Sequence, residues 1–362
     1  PQAGGLPDPQ VAFGYFIQPV ETRVGPQKVR FSALQMFPWF GTLNTRENVV
    51  AEMANAKYEV FEEAKSRLFY NVKSTWYNLY FTNRAIGITR ENINILNTFQ
   101  NLALIKIEAG IASVVDELRI EMDILDLENQ LALLLDKLEA QKISFKNLLN
   151  VDESTEVSVP ELLIIDDIEL DSNAILDSIR TRNPQILQLE YQEASYEYQQ
   201  IVAKKMGNPN FSVGMDYILV NESSNDMIAA GESGRDAIVL PKIGITIPLY
   251  RKKYTSMVRE AVFMQETIQN KKADKINILE TVYAKANTDY SDAQRRIELH
   301  KKQLSLARKA LKILEAEYAT YGKNFEEILR MERKLLMHSL ELEKSRSDLN
   351  ASVAFINYLM GK

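Results

Sequence analysis

Cysteine is absent from all 362 residues, which excludes disulfides, thiolate metal sites and cysteine nucleophiles. A thiol-free chain fits an extracytoplasmic protein. Histidine occurs only at His300 and His338, and neither has a carboxylate cluster at ligand spacing, so no metal site is expected. No apolar run approaches the roughly 20 residues of a transmembrane helix; a membrane, if this chain meets one, is met with strands. Basic residues number 43 against 49 acidic, a net charge of -6 without a Lys/Arg cluster, which gives no electrostatic footprint for nucleic acid. No nucleophile-base arrangement, phosphate loop or catalytic carboxylate pair stands in a recognisable context, so no enzyme and no cofactor are expected. Glycine and proline are scarce in two long stretches. Between Asn44 and Glu108 there is no proline and only Gly87, and between Tyr254 and Tyr321 there is neither.

What is present is a long-range repeat, which is read before anything else. Leu6-Pro7-Asp8-Pro9-Gln10-Val11-Ala12-Phe13-Gly14 lies over Met206-Gly207-Asn208-Pro209-Asn210-Phe211-Ser212-Val213-Gly214. Phe37-Pro38-Trp39-Phe40 lies over Ile247-Pro248-Leu249-Tyr250, with ten extra residues in the second copy. Gly110 over Gly322 and Phe145 to Leu149 over Phe355 to Leu359 continue the series. Each copy reads strand, loop, strand, proline, long helix, return helix.

The two stretches poor in glycine and free of proline read as helices. At 1.5 Å per residue, segments of about 65 residues would each run roughly 100 Å. Ala286, Tyr290, Ala293, Ile297, His300, Leu304, Ala307, Leu311, Leu314, Tyr318 and Tyr321 alternate steps of four and three, the period of a coiled coil. The return segment repeats it in Ile120, Ile124, Leu127, Leu131, Leu134, Leu138, Phe145 and Leu148. After Gly322 the apolar positions are Ile328, Leu335, Leu342, Leu349 and Ile356. Two antiparallel hairpins follow, with turns at Gly110 and Gly322. Gly110 accepts the left-handed conformation that closes a helix. Ser113 caps the next helix, with Asp116 placed to bond back. Asn324 does the same in the second copy, where Glu326 and Glu327 favour the helix start through its dipole.

The predicted organisation places a first repeat at 1–150: strand pair 10–36, long helix 44–108, tip 109–113 and return helix 114–149. A linker at 151–170 wraps the helices. The second repeat, 171–362, has a helix at 171–206, a strand pair at 210–248, a long helix at 252–321, a tip at 322–324 and a return helix at 325–360. Asp171 and Ser172 are cap candidates for the helix at 171–206, and Asn183-Pro184 should kink or interrupt it. Its counterpart in the first copy would precede Pro9, where only eight residues stand; a missing leading helix is expected, and with it any signal peptide or lipidated N-terminus.

Four strands alternate in character. Val11, Phe13, Tyr15 and Ile17; Val29, Phe31 and Ala33; Phe211, Val213, Met215, Tyr217 and Leu219; and Ile243, Ile245 and Ile247 alternate with small or polar residues. That is the alternation of a barrel wall between lipid and water, and equally of a soluble sheet with one packed face. Four strands close no barrel, and the helices leave no layer to cover the sheet, so its edges must pair with other chains. The intervening loops are expected at Pro19 to Gln27 and Asn221 to Asp236. Trp39, Phe40 and Tyr250 at the strand-to-helix junctions suit a membrane interface. Phe69, Trp76, Tyr77, Tyr80 and Phe81 form an aromatic stripe expected in the core between helices, and Met331 and Met337 are expected to fill packing gaps.

In this order of elements, in the junction Phe37-Pro38-Trp39-Phe40-Gly41 and in the tip Glu108 to Asp116, the chain resembles the TolC-like outer-membrane efflux proteins. The resemblance implies a mainly α fold with a small β part, and a homotrimer whose twelve strands form a barrel in the outer membrane of a Gram-negative bacterium. A periplasmic α-helical barrel continues it. It implies a passive exit duct for small molecules or ions, served by a periplasmic adaptor protein and energised by an inner-membrane efflux transporter. It places adaptor docking at Gly110, Ile111, Ala112, Ser113, Gly322, Lys323 and Asn324. It places the constriction or latch of the periplasmic mouth at Asp116, Arg119, Glu326, Glu327 and Arg330, where rings of carboxylates would select cations. The alternative, a periplasmic coiled-coil adaptor or scaffold of an export complex, joins its hairpins to small sandwich domains and would need more than four strands.

Overall fold

The computed structural model describes residues 2–168, 171–223, 233–321 and 325–362. Its strands are β1 (Gln10–Thr22), β2 (Gly25–Phe37), β3 (Asn210–Val220) and β4 (Ala237–Thr246). Its helices are α1 (Thr42–Glu108), α2 (Val114–Leu149), α3 (Ser172–Arg182), α4 (Pro184–Met206), α5 (Arg251–Tyr321) and α6 (Phe325–Leu359). None of the described helices is long and apolar enough to cross a membrane. The chain packs as two compact units, Pro1–Val60 with Gln185–Asp274, and Phe61–Pro184 with Lys275–Lys362. Each unit draws on both copies of the repeat.

The first unit holds one antiparallel sheet in the order β1-β2-β3-β4. The β2–β3 pairing joins the two copies, with Phe31 opposite Tyr217 and Ala33 opposite Met215. The strands run further than alternation predicts. β1 extends to Thr22 and β2 starts at Gly25, so the expected loop from Pro19 to Gln27 contracts to a turn, closed where the Thr22 hydroxyl donates to the Gly25 carbonyl at 2.6 Å. The longer connection in the second copy lies only partly within the described residues.

In the second unit the coiled-coil positions become the buried seams. Ala293, Ile297 and Leu304 of α5 pack with Leu342 and Leu349 of α6, and Leu79 and Ile86 of α1 pack with Leu138 and Phe145 of α2. All four helices share a cluster built on Ile93 and Leu96 of α1, Ile120 and Ile124 of α2, Tyr318 of α5, and Ile328 and Leu329 of α6. Each such side chain, fully buried, contributes roughly 1.5–3 kcal/mol by removal from water. The linker lies over this framework. Leu163 packs with Tyr77 and Tyr80, the Asn350 amide donates to the Ile164 carbonyl at 2.7 Å and accepts from the Asp166 backbone at 3.1 Å, and the Tyr290 hydroxyl donates to Asp167 at 2.5 Å. Tyr77 donates to Asp166 at 3.3 Å; burial first, then that carboxylate, pushes its phenol up to about 12.

Asn183-Pro184 interrupts the helix at 171–206, one of the two outcomes expected of it, and two other expectations are corrected. The helix at 171–206 is two helices: Asn183, extended because a proline follows it, ends α3, and Pro184 opens α4, where its missing N–H costs nothing. The buried Asn183 amide then donates to the Leu359 carbonyl at 2.8 Å. Asp171 is the cap, accepting from the Ala174 N–H at 2.7 Å. In the aromatic stripe, Tyr77 and Tyr80 are buried but Phe69 is 53% exposed. Met337 is likewise exposed rather than filling a gap.

Candidate functional site

Two regions carry chemistry, one in each unit. In the sheet, pairing register sorts the side chains into two faces. One face carries Val11, Phe13 and Tyr15, then Val29, Phe31 and Ala33, then Val213, Met215 and Tyr217, then Ile238, Ile243 and Ile245. It is open: Val11, Phe13, Ile243 and Ile245 are 79%, 64%, 72% and 58% exposed. The opposite face carries Ala12, Gly14, Ser32, Ser212 and a charged cluster. Asp216 of β3, buried, pairs with Arg30 of β2 and with Lys242 of β4 at 3.2 Å. A carboxylate bridging two cations on neighbouring strands is a polar lining. It is no place for lipid.

At the end of β2 the expected interface aromatics gather. Trp39 stacks on Phe211 at 5.9 Å, and Phe40 lies 5.8 Å from Trp39 and 6.0 Å from Phe211. Gly41 has a positive φ of 73°, and a Cβ there would meet the Lys205 ammonium at 2.7 Å. That ammonium donates to the Gly41 carbonyl and to the Thr45 hydroxyl, both at 3.0 Å, which fixes the strand-to-helix corner. Phe40 and Tyr250 are 76% and 85% exposed.

The second region is the end of the hairpins. Gly110 (φ 72°) closes α1 by donating to the Ile107 carbonyl at 2.9 Å while Ile111 donates to Lys106 at 2.9 Å, the paired bonds of a Schellman ending. Ser113 caps α2, accepting from the Val115 N–H at 3.2 Å. Ile111, Val114, Val115 and Leu118 are each at least half exposed. Gly322, Lys323 and Asn324 lie outside the described residues. Asp116 turns toward Arg119 of its own helix at 3.7 Å, and Arg119 also reaches Glu326 of α6 at 3.4 Å. Glu327 pairs with Arg330 within α6. Of the five expected mouth residues, the structure therefore joins Asp116, Arg119 and Glu326 in one chain of charges and leaves Glu327 with Arg330 in another.

Beneath this pair lie contacts that sequence reading missed. Arg333 of α6 donates to both carboxylate oxygens of Asp123 of α2, at 2.9 and 3.0 Å. Lys106 donates to the Tyr318 carbonyl at 2.6 Å and sits 3.8 Å from the centre of that ring. Burial, then the Asp116 carboxylate, pushes the Tyr318 phenol up. His300 and His338 meet across α5 and α6 with their Nδ1 atoms 3.3 Å apart. Both are buried, and burial, then the neighbouring His300, lowers the His338 pKa. The shared coiled-coil seam was the signal that could have paired them. The described residues contain no cluster of three or more His, Cys, Asp or Glu able to hold a metal ion.

No family model matches the sequence. A stretch of 147 residues, 40% of this chain and 32% of the relative, is 24% identical to the Toxin and drug export protein A of Aggregatibacter actinomycetemcomitans. The match thus spans about a third of that protein. Structural likeness extends over nearly the whole chain. The outer membrane protein VceC of Vibrio cholerae superposes with a TM-score of 0.76 at 14% identity, covering 98% of this chain and 86% of VceC. The open-state MtrE outer membrane channel of Neisseria gonorrhoeae gives 0.75 at 14% identity, covering 99% and 81%. The CmeC outer membrane channel of Campylobacter jejuni gives 0.71 at 12% identity, covering 98% and 77%. Four antiparallel strands, long hairpins and the two-faced sheet make this a chain with the fold of the TolC-like outer-membrane channels.

Proposed function

We propose that this protein is the outer-membrane exit duct of a tripartite efflux pump, passive in itself, through which small molecules or ions leave the periplasm of a Gram-negative cell. The observation that carries the reading is the sheet: one face apolar and open, the other lined by Arg30, Asp216 and Lys242, with β1 and β4 as its outer strands. An open apolar face belongs in lipid and a charged one in water. Unpaired edges are satisfied when β1 of one copy meets β4 of the next. Three copies so joined close a twelve-stranded barrel, while four strands alone do not. Trp39, Phe40 and Tyr250 then stand at the membrane interface. Likeness to outer membrane channels and to an export protein supports the same assignment.

The hairpin ends, with Gly110, Ile111, Ala112 and Ser113 and their counterparts Gly322, Lys323 and Asn324, serve as the docking surface for a periplasmic adaptor, which links the duct to an inner-membrane transporter. Exposed Ile111, Val114, Val115 and Leu118 supply the apolar centre such a contact needs. The chain Asp116–Arg119–Glu326 and the pair Glu327–Arg330 act as the latch. Exposed ion pairs contribute about 0–1 kcal/mol each, weak enough for a docking partner to open.

The test is reconstitution of detergent-purified protein in planar bilayers. The expected results are a heat-sensitive trimer on gels and a low parental conductance, raised by Asp116→Ala and by Glu327→Ala. A monomer soluble without detergent that conducts nothing would overturn the duct. A conducting trimer indifferent to both substitutions would overturn the latch alone.

A further inference from the structure

Two carboxylates of α6 are buried, and they are treated differently. Glu343, 6% exposed, accepts from the Tyr80 hydroxyl at 2.7 Å and from Arg346 at 2.9 Å. Glu332, 3% exposed, has among the described residues only the Asn92 amide of α1, at 3.4 Å. Among the described residues no basic side chain pairs with it. Two guanidinium groups lie close by but are engaged elsewhere: Arg333 with Asp123, and Arg119 with Asp116 and Glu326. A buried carboxylate without a counter-charge is costly and takes up a proton instead. Burial, then the Glu315 carboxylate of α5, accordingly raises the Glu332 pKa to about 7, opposed by the Asn92 hydrogen bond.

Glu332 lies at the wall of a cavity of about 490 Å³ formed by α1, α2 and α6, within the size range of small-ligand sites, about 300–1,000 Å³. Leu96, Leu127 and Leu336 provide apolar walls, and Asp126 lies at the margin, exposed and acidic. One buried anion set among leucines does not suit a hydrated metal ion, which needs several hard ligands. An anion would meet Glu332, Asp123 and Asp126, with both arginines already neutralised.

We propose that this cavity binds a small organic monocation, its amidinium, guanidinium or ammonium head on the Glu332 carboxylate and its flat apolar body against Leu96, Leu127 and Leu336. The bound cation supplies the counter-charge that the protein withholds. Binding to the protonated site releases the Glu332 proton to solvent, so affinity rises with pH across neutrality. The groups facing the site are Asn92 of α1, Arg119, Asp123 and Asp126 of α2, Arg333 of α6, and, at longer range, Glu315 of α5.

Isothermal titration of the whole protein in detergent with benzamidinium, and with the isosteric neutral benzamide, tests this. Benzamidinium should bind about tenfold or more tighter than benzamide above neutral pH. Its affinity should rise about tenfold from about pH 6 to about pH 8, following ionisation of a group near pH 7. Glu332→Gln should remove the preference for the cation and leave benzamide binding unchanged. Equal binding of the two probes, an affinity independent of pH, or no benzamidinium binding would overturn the proposal. Should Glu332→Gln fail to fold, the probe pair and the pH series on the parent protein decide alone. No readout involves conductance, so failure here leaves the duct assignment standing, and the reverse holds as well.

Discussion

Replacing neighbouring residues of β1 with arginine tests which face of the sheet meets lipid. Phe13 lies on the apolar face, 64% exposed, opposite Phe31 with ring centres 5.3 Å apart. Ala12 is its neighbour on the other face, opposite Ser32 on the side that carries Arg30 and Asp216. An arginine facing lipid costs about 2–4 kcal/mol near the bilayer midplane, and loss of the Phe13–Phe31 pair adds about 0.5–1.5 kcal/mol. Phe13→Arg should therefore lower the folded-to-unfolded ratio more than about sixtyfold, since 1.4 kcal/mol is about tenfold. Ala12→Arg faces water and should change stability by less than about 1 kcal/mol. The measurement is reversible urea unfolding of protein inserted in phospholipid vesicles. Were the apolar face in water, its exposure would make Phe13→Arg nearly neutral, as for any surface substitution. A penalty for Phe13→Arg below about 1 kcal/mol, or a larger penalty for Ala12→Arg, would refute the assignment of faces.

Two further outcomes follow from the helical unit. Ile328 is fully buried in the cluster shared by α1, α2, α5 and α6, so Ile328→Ala should cost about 2–5 kcal/mol. Ile111→Ala at the exposed tip should cost less than about 0.5 kcal/mol; equal losses of thermal stability would show that the cluster is not the core. Glu332, raised from 4.5 to about 7 in the folded state, holds more proton folded than unfolded. Its contribution to stability is complete below about pH 4.5 and is lost as pH rises through about 7. Glu332→Gln should flatten that decline in a melting-temperature series across pH, and an unchanged slope would count against a buried, protonated Glu332.

Much of this was legible in the residues because periodicity reports burial. The seam from Ala286 to Tyr318 and the α2 stripe from Ile120 to Phe145 lie buried or half-buried where a 3.5-residue period places them, and Gly110 and Asp171 end and start helices for reasons local to the chain. Strand ends were less legible. Alternation is read from large apolar side chains, and Gln18, Pro19 and Gln27 interrupt it; the backbone ladder shifts register between Tyr15 and Val20 but resumes to the pairing of Thr22 with Gly25. The site was the least legible part. Arg333 meets Asp123 across helices 210 residues apart, and His300 meets His338 across the consecutive helices α5 and α6. Spacing along one helix says which residues share a face, but leaves open which residue of another helix lies opposite.

The repeat explains why those cross-helix contacts matter. At the offset of 210 that carries Phe145 onto Phe355 (355 minus 145), Asp123 of α2 falls on Arg333 of α6 (333 minus 123), and Asp116 falls on Glu326. Two identical copies would set like beside like, Asp against Asp, and repel. At one such position this chain instead sets Arg333 against Asp123 in a two-pronged bond. At the other, both copies carry an acid, and Arg119 stands between the two as the shared cation. Since Arg333 is 62% and Arg119 44% exposed, water screens both arrangements and neither adds much stability. Their effect is on register: they hold α2 and α6 side by side at a fixed height, with the apolar cluster of Ile120, Ile124, Ile328 and Leu329 supplying the adhesion. The long helices diverged as well, α5 spanning 71 residues against 67 for α1, close to one helical turn more. In the duct proposed above, a wall held together by an apolar seam would open by exchanging weak ionic contacts while the seam stays closed.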